Sequence, residues 1–429
     1  MPEVSRALRM ASPTASRRIF RICLCAGVRD ASGTGTPPLL PVCGFGCSTH
    51  AHCIARDTAM VDHVNPAALL GAPVSRVRAR ALPLRVEPVY GEALDSFVEA
   101  YARRYHVTPA EFYRHIGCSN PSVREVVKAP SLAVLEAIAV ASELPVGVVR
   151  AMTLDSLPSG WAARQAPLSS VSSAYRRDRR YFWMAAGGSR FCPACLADTD
   201  GRWLLRWRLR WSFVCVKHRC LLVDTCASCG VVPRRSPHLG SLAGRQCLGR
   251  PPDGVENGVC GARFASMRAI YLCQGHCVLD AQRRIDELIA SEVGNSIRLS
   301  GGVRGTPDPL LSDIARLVRH IITYGRLGSP ARCGVFADTI REHRAENPDY
   351  RCSAHTSIPT MCFAGAVVLA LEILDHSDID RAAHMLGEIL PVPTIRGRST
   401  DLQIEMSVWA RRSGQIAALW DRLREQRGN

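Results

Sequence analysis

The sequence predicts a mainly α-helical fold with small β elements, and three observations predict it. Apolar residues recur at helical spacing along most of the chain, as in Leu94, Phe97, Val98 and Tyr101, which follow i, i+3, i+4, i+7. Cysteines and one histidine stand in close pairs between residues 188 and 268, a pattern that ties short loops and ribbons together. The charge is strongly positive, with 54 Lys and Arg against 38 Asp and Glu, and apolar residues make up 47% of the 429, which suits several packed domains.

The elements follow in order. Residues 1–60 hold GTGTPP, scattered cysteines and no sustained period, and read as a disordered extension or a mis-assigned start. Residues 61–187 form an N-terminal helical, helix-turn-helix-like module. After its first stripe, Thr108-Pro109-Ala110-Glu111 supplies an N-cap, a proline at the first helical position and a glutamate three residues after the cap. A further helix is expected from Ser131 to about Leu144, and a short one over Val146–Met152. Leu157–Ser173, rich in Pro, Ser and Ala, reads as a linker. Residues 188–268 are the cysteine module. Residues 269–429 read as a C-terminal helical domain, with helices over Ile285–Ile297, Asp313–Tyr324, Met361–Leu374, Asp380–Leu390 and Met406–Arg424 and a loop over Gly301–Pro309. No stretch reaches about 18 uninterrupted apolar residues, so no membrane span is expected, and the paired cysteines suit a reducing, cytoplasmic compartment.

Cys192-x2-Cys195 and Cys215-x2-His218 give three thiolates and an imidazole, a closed tetrahedral set for Zn2+ with no corner left for water. A second set begins at Cys226-x2-Cys229 and takes Cys247 and Cys260 as its best partners, with Cys220, Cys273, His276 and Cys277 in competition. About two structural zinc ions are expected, held in tandem zinc fingers or ribbons. The span inside the first set is basic and aromatic. On a helix, Trp203, Trp207 and Trp211 would share one face, as packing residues or as a stacking surface for bases. Arg206 and Arg210 flank them, and Arg176, Arg177, Arg179 and Arg180 stand just upstream. These six are the candidate nucleic-acid contacts, because the chain has only two lysines, Lys128 and Lys217.

Catalytic motifs are not legible. The sequence has no GxxxxGK[ST], no HExxH and no GxSxG, and no His-x-Glu precedes the first Cys pair as a zinc deaminase would need. Acidic residues are scattered rather than clustered for Mg2+. The chemistry therefore points to a binding protein. A zinc-containing DNA-binding transcriptional regulator is one such reading, and a nuclease carrying structural zinc is a weaker one.

FCPACLADTDGRWLLRWRLRWSFVCVKHRCLLVDTCASCG resembles the core signature of the TniQ family of transposon target-selection proteins, to which TnsD belongs. The matching residues are Cys192-Pro193-Ala194-Cys195, Trp207, Cys215 to His218, Leu221-Leu222 and Cys226 to Gly230. GEALDSFVEAYA (91–102) is similar to the family's N-terminal opening, with Phe97 where Trp is common, and RAMTL (150–154) to the segment leading to the zinc module. The resemblance spans about 83–265, and the long insert between Cys247 and Cys260 departs from the family's tight pair. It implies helix-turn-helix modules with zinc ribbons and a non-enzymatic role in DNA recombination. Such a protein recognises target DNA or an RNA-guided complex and recruits the transposon's AAA+ ATPase, which brings the transposase. A homodimer is an open option.

Overall fold

The computed structural model describes residues 80–118, 126, 130–156, 188–235, 244–251, 258–290, 297–298, 304–305, 307–325, 334–347, 358–389 and 414–426. The expected extension at 1–60, the Leu157–Ser173 linker and the start of the helix expected at Met406 lie outside these residues.

Helix α1 (Leu94–Arg104) buries both of its sides. Leu94, Phe97, Val98 and Tyr101 join a core with Phe112, Tyr113, Leu135, Ile138 and Val149. The other side, Asp95, Ser96 and Glu99, is polar yet also buried, which a single amphipathic period does not foretell. Helix α2 (Pro109–His115) starts on the expected capping box. The Thr108 hydroxyl accepts from the Glu111 N–H at 3.2 Å, and the Glu111 carboxylate accepts from the Thr108 N–H at 2.7 Å. Two orphan donors of the helix end are thereby satisfied reciprocally. Helix α3 (Leu132–Ser142) is capped by the Ser131 hydroxyl and ends at Glu143, whose φ of 54° stops the helix. Helix α4 (Val146–Ala151) follows Pro145 directly.

In the cysteine module, helix α5 (Pro193–Asp198) is followed by an extended segment, a short 3-10 turn (Leu205–Arg208) and a hairpin of β1 (Val214–Cys215) with β2 (Cys220–Leu221). The tryptophan span is thus not the helix its spacing allowed. Ala93 N–H donates to Trp203 C=O and Leu205 N–H to Gly91 C=O, at 2.9 and 2.8 Å. These bonds commit the backbone to a neighbouring segment, so the span forms only the short 3-10 turn rather than an α-helix.

Beyond the module run α6 (Cys277–Ala290), a two-residue strand pair of β3 (Ile297–Arg298) and β4 (Arg304–Gly305), then α7 (Pro307–Tyr324) and α8 (Gly334–Glu346). Helices α9 (Thr360–Leu374), α10 (Ile379–Ile389) and α11 (Gly414–Gln426) complete the described chain. Helix α9 is apolar on nearly every side and is surrounded by α6, α7, α8 and α10, which is what an all-round hydrophobic helix requires. No described helix is long and apolar enough to cross a membrane.

Three expectations are corrected in this half. Helix α6 starts at Cys277 rather than Ile285, because Gln282 sits within its buried stripe and breaks the apolar period. The Gln282 carboxamide is satisfied there: its oxygen accepts from the Phe213 and Val214 N–H groups at 2.9 and 3.1 Å, and its nitrogen donates to Trp211 C=O at 3.0 Å. Ile297 lies in β3 rather than at a helix end. The loop expected over Gly301–Pro309 contains β4, and α7 begins within it at Pro307, a residue well suited to the first helical position.

Candidate metal centres

Two side-chain clusters stand where the paired cysteines predict them. Cys192, Cys195, Cys215 and His218 offer ligand atoms that all lie within 4.8 Å of one another, and so do Cys226, Cys229, Cys247 and Cys260.

The first centre is assembled from one short helix and one hairpin. Cys192 is the N-cap of α5, Pro193 opens the helix, and the Cys195 N–H points at the Cys192 sulfur at 3.5 Å. Cys-Pro-x-Cys therefore turns both thiols to one side of a helix end. Cys215 ends β1, and His218 sits in the turn to β2, which closes through Arg219 at a φ of 50°. Cys195 Sγ lies 3.5 Å from Cys215 Sγ, and His218 Nδ1 lies 3.4, 3.2 and 3.5 Å from Cys192, Cys195 and Cys215. A tetrahedral Zn2+ with ordinary bond lengths needs ligand separations of about 3.5–3.8 Å, so the donor set fits zinc. The His218 Nε2 faces Asp198 Oδ2 at 3.1 Å, and Asp198 also holds Lys217. That carboxylate fixes the ring so that Nδ1 is the nitrogen turned inward.

The second centre explains the interrupted pair. Gly230, at a φ of 71°, follows Cys229, and its N–H donates to Cys226 C=O at 2.8 Å, giving the usual tight turn. Cys247 and Cys260 are far apart in sequence but are joined at the base of a hairpin. Cys247 N–H donates to Ala262 C=O, Gly261 N–H to Cys247 C=O and Cys260 N–H to Gly249 C=O, at 2.9, 2.9 and 2.8 Å. Cys226 Sγ then lies 3.7 Å from Cys260 Sγ, and Cys229 Sγ lies 3.4 Å from Cys247 Sγ. Gly249 is needed there, since a Cβ would stand 2.8 Å from the Cys229 sulfur. The competing residues are not part of this cluster: Cys220 lies beside the first centre, Cys273 is exposed and Cys277 is disulfide-bonded. Both sets are closed, so each suits a structural ion rather than a catalytic one.

The basic, aromatic span between the first ligand pairs serves the interior. Trp203 and Trp207 are buried with Phe191 and Phe264 around the first centre, at ring distances of 5.1–5.8 Å, and the Trp203 Nε1–H donates to Gly244 C=O at 2.8 Å. Trp211 instead meets Phe363 of α9 at 6.0 Å. The arginines around them lock elements together. Arg208 and Arg234 both pair with Asp95, Arg234 also pairs with Glu99 at 2.9 Å and stacks 5.0 Å over Trp203, and Arg202 pairs with Glu92. Burial alone would raise the Asp95 carboxyl, but the two guanidiniums reverse this and hold it well below the usual carboxylate range. Burial raises Glu99 despite Arg234. Arg190 donates from Nη1 to the Arg210 and Ser212 carbonyls and from Nη2 to Ile358 C=O, and pairs with Asp224 at 2.8 Å. Asp224 in turn accepts from the Thr360 N–H and hydroxyl, capping α9 where Pro359 offers no side-chain cap.

Of the six arginines expected to face nucleic acid, Arg210 is buried, at 1% exposure, and offers no charge to a phosphate. Arg206 is half-exposed and pairs with Asp286 at 2.8 Å. Arg176, Arg177, Arg179 and Arg180 lie outside the described residues. Sequence reasoning passes over Arg219, Arg250, Arg263 and Arg268, which stand exposed on the cysteine module and carry no motif to single them out.

Residues 83–222 match the model of the TniQ family. The match takes in the N-terminal helices and the whole first centre and stops before the second, which begins at Cys226. No curated protein matched the chain.

Proposed function

We propose, for a chain whose residues 83–222 are a TniQ domain, that it is an adaptor in the selection of transposition target sites. In this reading the chain holds target DNA, or a guide complex lying on it, and recruits the transposon's AAA+ ATPase. The observation that carries it is the family match, whose N-terminal helices and first cysteine centre are joined by the buried Asp95–Arg208 pair. The adaptor does no chemistry of its own. Closed zinc sites leave no corner for an activated water, which accords with a holding role.

Direct DNA contact in this reading comes from exposed arginines. Arg190, Arg208, Arg210 and Arg234 are spent on the interior, so these four guanidiniums do not reach phosphates. The remaining candidates are Arg176, Arg177, Arg179 and Arg180, half-exposed Arg206, and the exposed arginines of the cysteine module.

A pull-down of this chain with the transposon's AAA+ ATPase, with and without target DNA, tests the function. Retention of the ATPase that strengthens with DNA is expected. DNA binding without ATPase retention would favour a transcriptional regulator. Replacing Arg176, Arg177, Arg179 and Arg180 together should weaken binding to all sequences alike and flatten its salt dependence, by about one unit of slope for each phosphate no longer neutralised. Unchanged affinity and slope would remove that cluster from the interface.

A further inference from the structure

We propose that the first metal centre has a fifth ligand in reserve: Cys220 takes the fourth corner when His218 leaves it. The inference rests on reading the cluster as a zinc site.

Cys220 is fully buried and sits on β2 opposite Cys215, in register across the hairpin. A buried free cysteine is ordinarily a small hydrophobic side chain with its sulfur against apolar neighbours. Cys220 differs because its sulfur lies 3.6 Å from Cys192 Sγ, and its backbone pairs with that of Cys215 across the hairpin. It therefore adjoins one thiol ligand directly and stands opposite a second, while lying outside the set of four. Strand pairing places its Cα about 5.5 Å from that of Cys215. A change of χ1 from one staggered well to the next carries a cysteine sulfur by about 3 Å, so a rotamer change alone re-aims the Cys220 thiol among its neighbours without moving the backbone.

The four existing ligands are not equally secured. Cys192, Cys195 and Cys215 are buried. The His218 side chain is 19% exposed, and its outer nitrogen is held by Asp198, which is itself exposed. The imidazole is the one ligand that can swing toward solvent without uncovering the aromatic core beneath the centre. Because Cys215, His218 and Cys220 ride on a single hairpin, loss of the second leaves the first and third in place. The site would then pass from three sulfurs and a nitrogen to four sulfurs, a set Zn2+ accepts equally well.

Metal analysis of the full chain tests this with zinc and with Co2+ as a spectroscopic substitute. Wild type and Cys220→Ala should each hold about two ions per chain. His218→Ala should also hold about two, and His218→Ala/Cys220→Ala about one. With Co2+, thiolate charge-transfer absorption should rise by about a seventh in His218→Ala, as the two centres go from seven thiolates to eight, and should not rise in Cys220→Ala. One ion per chain in His218→Ala, or a Co2+ spectrum without the added thiolate, overturns the proposal. Aggregation of His218→Ala while Cys220→Ala stays soluble does the same, because a reserve ligand should preserve the fold. A wild-type chain without metal would instead remove the zinc reading itself, and this inference with it.

Discussion

The two halves of the described chain are held together by different physics. Around α1 and the cysteine module, the interior contains arginines, carboxylates, tryptophans and thiols: Asp95, Glu99, Arg208 and Arg234 are all buried there. Around α9 the interior is mainly apolar, with Ile314, Val318, Ile321, Val367, Ile373 and Leu386 in one cluster with a few aromatic rings. An aliphatic core loses stability gradually as methylene groups are removed. A core of charges and metal ligands depends on every partner being present, since removing one strands a buried charge or opens a coordination sphere.

The largest expected effect follows from that difference. Chelation, or Cys192→Ala, should unfold the cysteine module, because zinc supplies folding free energy of order 10 kcal/mol in such small units. Helices α7, α9 and α10 should keep their protection. Hydrogen exchange with metal analysis checks it, and equal loss of protection in both halves would erase the contrast.

A smaller effect is expected within the charge cluster. Asp95→Ala should destabilise the first half by about 3–5 kcal/mol, since it leaves Arg208 and Arg234 short of a buried partner. The loss should be insensitive to added salt, because buried pairs are poorly screened. Denaturant unfolding at low and high salt measures both points, and a loss below about 1 kcal/mol would class the cluster with exposed ion pairs.

The gentlest prediction sharpens the comparison from the aliphatic side. His320 of α7 is buried, and burial, aided by the nearby Arg319, depresses its imidazole to about 3. The folded state keeps it neutral while the unfolded chain binds a proton below about 6.5. Its contribution is therefore fully present above about 6.5 and is lost as pH falls toward 3, at up to about 1.4 kcal/mol per pH unit. The stability difference between wild type and His320→Leu should shift in favour of the variant over that window, as read by unfolding at several pH values. A difference independent of pH would mean that His320 takes up a proton in the folded state.

These two halves are also unequally legible in the sequence. Local signals are plain: the Thr108 capping box, the limits of α3 and α9 to within about two residues, and both ligand sets, because each depends on residues a few positions apart or on a chemistry few side chains share. The roles of the arginines are not legible. Arg208 meets Asp95 and Arg234 meets Glu99 across more than a hundred residues, and nothing in a basic, aromatic span says whether its charges face phosphates or buried carboxylates. The same blindness hides the polar side of α1. Helix α8 escapes notice because its stripe is thin, and the start of α6 because a buried glutamine resembles an exposed one until its backbone partners are known. The hairpin that brings Cys247 to Cys260 is likewise invisible, since the pairing rests on backbone bonds rather than on side chains.

Arg190 has a mechanical consequence. Its guanidinium reaches carbonyls on the tryptophan span and on Ile358, two residues before α9, while Asp224 grips both Arg190 and the first turn of that helix. Rotation at this junction would have to break several of these charge-assisted bonds together, each stronger than an ordinary backbone bond. The joint therefore behaves as a riveted plate rather than a hinge. A pull applied to the cysteine module is delivered to the far helices as torque, with little taken up on the way.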